Sequence, residues 1–140
     1  MTRSEIDAFF RRRERLWFDH DAAALAAGHA DGSVVESPTH GKLTTREAIR
    51  SVYDTWFAAF PDLKFRHDDL LVDGDRVAVF FTTSGTHKKA FAGAPATGRN
   101  IEIHGVALFT LKDGLIVNEK RLYDSTSLLV QIGVIKAKPV

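Results

Sequence analysis

Cysteine is absent from the chain. Disulfides, thiolate nucleophiles and cysteine-based zinc or iron–sulfur sites are therefore excluded. Proline is scarce, with four residues in 140. No stretch approaches the ~20 apolar residues that a membrane span needs. The opening MTRSEIDAFFRRRERLWF also lacks the long apolar region of a secretory leader. Charge of one sign is missing too: 19 Lys and Arg face 18 Asp and Glu, a formal net charge of +1. A nucleic-acid partner asks for a clear basic excess, so none is expected. The expectation is a soluble, cytoplasmic protein with neither a membrane nor a nucleic-acid partner.

What is abundant is apolar and aromatic surface. Hydrophobic residues make up 44% of the chain, with ten Phe and two Trp. That suffices to fill a core and also to line a cavity. No internal repeat or linker interrupts the sequence, so residues 1–140 are expected to form one domain.

Helical signals come first. Thr2 and Glu5 have capping-box spacing, and Ile6, Phe9, Phe10, Leu16 and Trp17 return at helical intervals. The basic run Arg11, Arg12, Arg13 and Arg15 has acidic neighbours and reads as a solvated helix face. Asp21 can cap a short helix, Ala22 to Ala27, closed by Gly28. Val34 and Val35 suggest a short strand, with a loop at Pro38 and Gly41. Thr44 and Glu47 offer a second capping box. Behind it Ile49, Val52, Tyr53, Trp56, Phe57 and Phe60 form an amphipathic stripe that Pro61 ends.

Beyond Pro61 the period becomes that of strands: Leu63 to Val72, Arg76 to Thr86, Asn100 to Leu111 and Leu115 to Tyr123. Asp73-Gly74 and Asp113-Gly114 are hairpin turns, Ala92 to Gly98 is a turn-rich loop, and Ser125 to Ile132 reads as a last helix. Helices followed by hairpin-linked strands predict an α+β domain with an antiparallel sheet. Val77 to Phe81 and Val106 to Phe109 are apolar at both parities, so both faces of these strands should be covered. Helices can cover one face, and a second copy of the chain the other. A homodimer is expected.

Several motif-based chemistries find no support. Gly93 to Gly98 lacks the Lys and Ser/Thr of a phosphate loop and precedes a strand. The six histidines show no HxxxH or HxH spacing, so no metal site is predicted. A GxSxG elbow is missing as well.

A His–carboxylate constellation remains. If Asp113-Gly114 forms a three-residue bulged turn, Leu111 faces Leu115. His104 then lies opposite Leu122 and diagonal to Asp124, on one face. A two-residue turn would pair His104 with Tyr123 and break that arrangement. A carboxyl and an imidazole on an enclosed apolar face suit acid–base work, because burial moves both pKa values toward neutrality. Asp124 also stands where it could merely cap the last helix, and His104 could be a hydrogen-bonded core residue. Spacing leaves these alternatives even. His87, at the end of its strand, is as much a turn residue as a pocket residue.

The segments AFPDL (59–63), GDRVAVFF (74–81), GTH (85–87), FAGAPATGR (91–99), DGLIV (113–117) and YDSTSLLVQIG (123–133) together resemble the SnoaL-like polyketide cyclases. These predicted ester cyclases belong to the nuclear-transport-factor-2-like superfamily. The resemblance implies a cone-shaped α+β barrel, a strongly curved antiparallel sheet around N-terminal helices with an apolar pocket, usually dimeric. It implies cofactor-independent ring closure by intramolecular aldol condensation, a lyase- or isomerase-type activity on an apolar, polyketide-like carbonyl compound. It also implies Asp124 as acid/base, assisted by His104, with Trp17, Tyr53, Trp56 and His87 contributing to the substrate pocket. Two departures bear on that pocket: Lys88-Lys89-Ala90 follow His87, and Lys120 or Arg121 stands where members often carry Trp. The competing expectation is a non-catalytic small-molecule binding protein of the same fold, in which Asp124 only caps a helix.

Overall fold

The computed structural model describes residues 1–136. Three helices precede most of the sheet. Helix α1 (Arg3–Phe18) starts at the predicted capping box: the Thr2 hydroxyl accepts from the Glu5 N–H, and Glu5 accepts from the Thr2 N–H. Its buried stripe is Ile6, Phe10, Arg13 and Trp17, at the three- and four-residue steps of one helix face. The solvated-face reading of the basic run therefore fails at Arg13, which lies on the apolar stripe. Helix α2 (Ala22–Ala27) is capped by Asp21 as expected. Helix α3 (Arg46–Ala59) begins one residue later than predicted. Thr45, rather than Thr44, accepts from the Ala48 N–H, so Glu47 falls outside the box position. Its stripe Ile49, Val52, Tyr53, Trp56 and Ala59 is buried.

The strands are β1 (His29–Ser37), β2 (Gly41–Leu43), β3 (Lys64–Asp73), β4 (Arg76–Thr86), β5 (Asn100–Lys112) and β6 (Leu115–Tyr123); helix α4 (Ser125–Gln131) follows them. They form one strongly curved six-stranded sheet in the order β2-β1-β6-β5-β4-β3. The fold is α+β, but two details of the expectation change. The sheet is mixed, because β1 runs parallel to β6. It is also open, since β2 and β3 are its two edges and do not pair. Pairing β1 with β6 joins opposite ends of the chain, so no hairpin signal in the sequence announces it. Strand β2, three residues in the expected loop, is likewise new. The helices pack on the concave face. There Trp17, Tyr53, Trp56 and Phe60 gather one apolar cluster, and Phe10, Val79, Phe81 and Phe109 a second.

The β5–β6 hairpin sets what faces that concave side. Asp113 and Gly114 both have positive φ, 53° and 77°, the signature of a two-residue type I′ turn rather than a three-residue bulged one. Lys112 pairs with Leu115 and Leu111 with Ile116, but Thr110 then pairs with Asn118. Val117 is an extra residue on β6, a β-bulge that resets the register. Because side chains alternate, one extra residue exchanges the two faces of everything beyond it. Ile116 points inward, and past the bulge so do Glu119, Arg121 and Tyr123, while Asn118, Lys120 and Leu122 are turned outward and exposed or nearly so.

Candidate functional site

Between helices and sheet lies a narrow cavity of about 50 Å³. Its wall is mainly apolar and aromatic, including Trp17, Trp56, Phe65, Phe81, Phe109 and Tyr123. Trp17 stacks on Phe65 with centroids 4.2 Å apart. Into this wall are set three charged groups and an imidazole: Arg13 from α1, His67 from β3, and Glu119 and Arg121 from β6.

The polar groups form a connected network behind the wall. At its centre is the Tyr53 hydroxyl. Arg13 Nη2 donates to it over 2.8 Å and Arg121 Nη2 over 3.1 Å, and His29 Nε2 lies 3.1 Å away. A guanidinium can only donate, so the two arginines occupy the acceptor capacity of the phenolic oxygen. Its own proton must then go to His29 Nε2. This leaves His29 neutral with its proton on Nδ1, facing Ser33 Oγ at 3.5 Å. Burial independently pushes the His29 pKa down to about 3. Arg13 also donates to the Leu25 carbonyl over 3.2 Å, tying α1 to α2.

Glu119 and Arg121 share one face of β6, two residues apart, and Arg121 Nε donates to Glu119 Oε2. Burial alone would raise the Glu119 pKa, but the adjacent guanidinium holds it below its ordinary value. The carboxylate is thus ionised in an apolar setting. Its second oxygen, Oε1, is buried and has no hydrogen-bond partner among the described residues. The nearest ring nitrogen, His29 Nε2 at 3.8 Å, cannot supply one, because it already accepts from Tyr53. Among the described residues two other buried side-chain atoms share this condition, Nε2 of His40 and of His87, but neither residue reaches the cavity wall. His67, on the wall, is held neutral by burial, its pKa lowered to about 4. Among the described residues no group of three His, Cys, Asp or Glu is placed to hold a metal ion.

The site residues expected from sequence divide into two groups. Trp17 and Trp56 are on the cavity wall, and Tyr53 stands just behind it. Asp124, His104 and His87 are elsewhere, which corrects their expected placement. Asp124 is exposed and caps α4, its Oδ1 accepting from the Ser127 N–H at 2.9 Å. His104 lies on the outer, convex face of β5 with its side chain 69% exposed, 2.9 Å from the Thr82 hydroxyl. The cause is the hairpin register: Gly105 pairs with Tyr123, so Gly105 takes the inward place and His104 faces solvent. His87 is buried at the base of the 88–99 loop. Its Nδ1 meets the Thr97 hydroxyl at 2.9 Å and its backbone pairs with Gly98 and Arg99. Arg13, His29, Glu119 and Arg121 were not among the expected site residues. For Arg13 the signal was available, since it falls three residues after Phe10 and four before Trp17.

The sequence model of the SnoaL-like polyketide cyclase family matches residues 8–132. Curated proteins give no match. Solved structures give many. TsrD from Streptomyces laurentii is 23% identical over 96% of this chain and 99% of its own, with a TM-score of 0.86. IdmH from Streptomyces antibioticus is 27% identical over 91% of this chain and 97% of its own, at 0.76. A Catenulispora acidiphila protein of ketosteroid isomerase-like fold, in complex with trimethylamine, is 20% identical over 99% and 100%, at 0.75. The family match spans nearly the whole chain, and the architecture agrees with it. The chain belongs to the SnoaL-like polyketide cyclase family.

Proposed function

We propose that the protein is a cyclase- or isomerase-type acid/base catalyst that uses Glu119, in place of the expected Asp124, to remove a proton next to a carbonyl. One observation carries this reading: Glu119 lines an apolar cavity, and its Oε1 is a buried carboxylate oxygen with no hydrogen-bond partner among the described residues. The lowered pKa keeps the carboxylate ionised and ready to accept a proton, and Oε1 has no hydrogen bond to give up when it does so. In the reaction the α C–H bond breaks, the proton goes to Oε1, and the electron pair moves onto the carbonyl oxygen as an enolate. The negative charge passes from the carboxylate to the substrate, so the total charge of the cavity does not change. Arg121, fixed by Glu119 and Tyr53, is positioned to stabilise that oxyanion. The enolate carbon then attacks a second carbonyl, closing a ring, or is reprotonated at another carbon. In either case Glu119 returns its proton.

The test is exchange of the α-protons of acetylacetone in deuterium oxide. Glu119→Gln should lower the catalysed exchange by ~10²-fold or more, and Asp124→Asn, whose amide still caps α4, should leave it unchanged. If Asp124→Asn abolishes exchange and Glu119→Gln does not, the assignment is wrong.

A second reading, non-catalytic binding of a small molecule, is favoured by Asp124, which caps α4 and does not line the cavity. The volume of about 50 Å³, against the roughly 300–1,000 Å³ of ordinary ligand pockets, limits either reading to a small ligand. Exchange at the uncatalysed rate in the wild type would support binding without catalysis.

The convex face supports a homodimer. Leu71, Ala78 and Leu108 form one cross-strand row, and Phe80, Val106 and Leu122 another. Leu71, Phe80 and Leu122 are exposed, a contiguous apolar patch of the kind that marks an interface.

A further inference from the structure

The cavity is unbalanced in charge. It presents two guanidiniums, Arg13 and Arg121, and a single carboxylate, Glu119. Its imidazoles do not alter the sum, because burial keeps His29 and His67 neutral near pH 7. Glu119 is engaged by Arg121 through Oε2. The positive charge left over is that of Arg13.

Arg13 is buried, 3% exposed, and all its hydrogen-bond partners are neutral. It donates to the Leu25 carbonyl and the Tyr53 hydroxyl, and its guanidinium carbon lies 5.8 Å from the Phe109 ring centroid. The neighbouring carboxylate, Glu14, points away to the surface side, where it accepts from the His67 N–H and is 41% exposed. A buried charge is costly unless an opposite charge meets it. Two of the five guanidinium N–H groups are used by these partners, and the planar fork suits a carboxylate.

We infer that the cavity takes a ligand bearing a carboxylate, with Arg13 as the residue that binds it. The small volume fits this, since a head group and a short tail can enter where a polycyclic body cannot. Combined with the acid/base reading of Glu119, on which this last step rests, the substrate class becomes keto acids rather than neutral polyketones. The carboxylate sits at Arg13 and the reacting carbonyl at Arg121. Negative charge on the substrate then balances the cavity.

The experiment separates binding from catalysis. Butyrate and its neutral isostere butyramide are titrated into the protein while the indole N–H signals of Trp17 and Trp56, the only two tryptophans, are followed by NMR. Butyrate should bind at least about tenfold more tightly than butyramide, the scale of one charge-assisted contact. Arg13→Met should abolish the difference, whereas Glu119→Gln, which removes the cavity's only negative charge, should strengthen butyrate binding. Equal affinity of the two ligands in the wild type overturns the inference, and so does undiminished butyrate binding by a folded Arg13→Met. If Arg13→Met does not fold, the wild-type pair and Glu119→Gln decide. Butyrate preference without proton exchange would leave the inference standing and remove the catalytic reading, and exchange without the preference would do the reverse.

Discussion

Glu119 Oε1 stands 3.8 Å from His29 Nε2, and no hydrogen bond joins them. Both atoms are acceptors, because the imidazole proton resides on the far nitrogen. The pair is therefore a neutral base beside a carboxylate rather than an ion pair. That arrangement has a consequence for acid stability.

With a folded pKa of about 3 against an ordinary value near 6.5, His29 binds its proton more readily in the unfolded chain. Between those values the unfolded state holds more protons, so stability falls as pH falls, by up to about 1.4 kcal/mol per pH unit. Above pH 6.5 the effect vanishes. Urea denaturation at pH 7.5, 6 and 5, above the ordinary carboxylate range, should show this loss. His67, lowered to about 4, adds in the same direction. His29→Gln should flatten the slope while costing stability at neutral pH; an unchanged slope would point to another group.

Tyr53→Phe removes one oxygen and leaves two buried guanidiniums without their shared acceptor. Hydrogen bonds to charged groups contribute about 1.5–3 kcal/mol each, so for two of them a loss of roughly 3–6 kcal/mol is expected by chemical denaturation. A loss below 1 kcal/mol would mean that the cavity solvates Arg13 and Arg121 unaided.

Gly105 occupies an inward place on β5 where no side chain fits. A Cβ there would lie 2.6 Å from the Leu122 carbonyl oxygen and 2.6 Å from the Phe81 ring. The ring could turn, but the backbone oxygen could not. Gly105→Ala should cost ~1–3 kcal/mol through overpacking. Thermal melting that matches the wild type would contradict the hairpin register described above.

The convex face gives a prediction about assembly. Light scattering at micromolar concentration should report twice the monomer mass, and Leu122→Asp, placing a charge opposite Val106, should yield monomer with the fold intact by circular dichroism. A wild-type monomer under these conditions removes the dimer proposal.

Much of the architecture was legible because it is written in local contacts. The Thr2–Glu5 cap, the Asp21 cap, the stripe from Ile49 to Trp56 and the limits of β4 and β6 all follow from residues within a few positions of one another. What escaped depends on distant partners. β1 is a nine-residue strand, but His29 to Ser37 includes Asp31, Gly32 and Ser33, and its extended form rests on parallel pairing with β6 and, at its end, antiparallel pairing with β2. The site escaped for a related reason. In Leu115 to Tyr123 the charged residues look like the wet face of an ordinary strand. Asp113-Gly114 announces a turn but does not reveal that Val117 is bulged. Asp124 was legible only as two alternatives, cap or acid, and the geometry places it as a cap.

The bulge at Val117 has a meaning beyond this hairpin. Strand β6 carries two interleaved messages: Glu119, Arg121 and Tyr123 spell a charged interior, while Asn118, Lys120 and Leu122 spell a different one. Which message is read depends on whether Val117 is held as a bulge, not on the identities of the residues beyond it. If Val117 paired with Thr110 instead, the two would exchange in a single step, turning the Glu119–Arg121 pair out to solvent without altering any residue of the site. For a fold that hosts many chemistries, a shift of register is then as potent a source of new interiors as substitution.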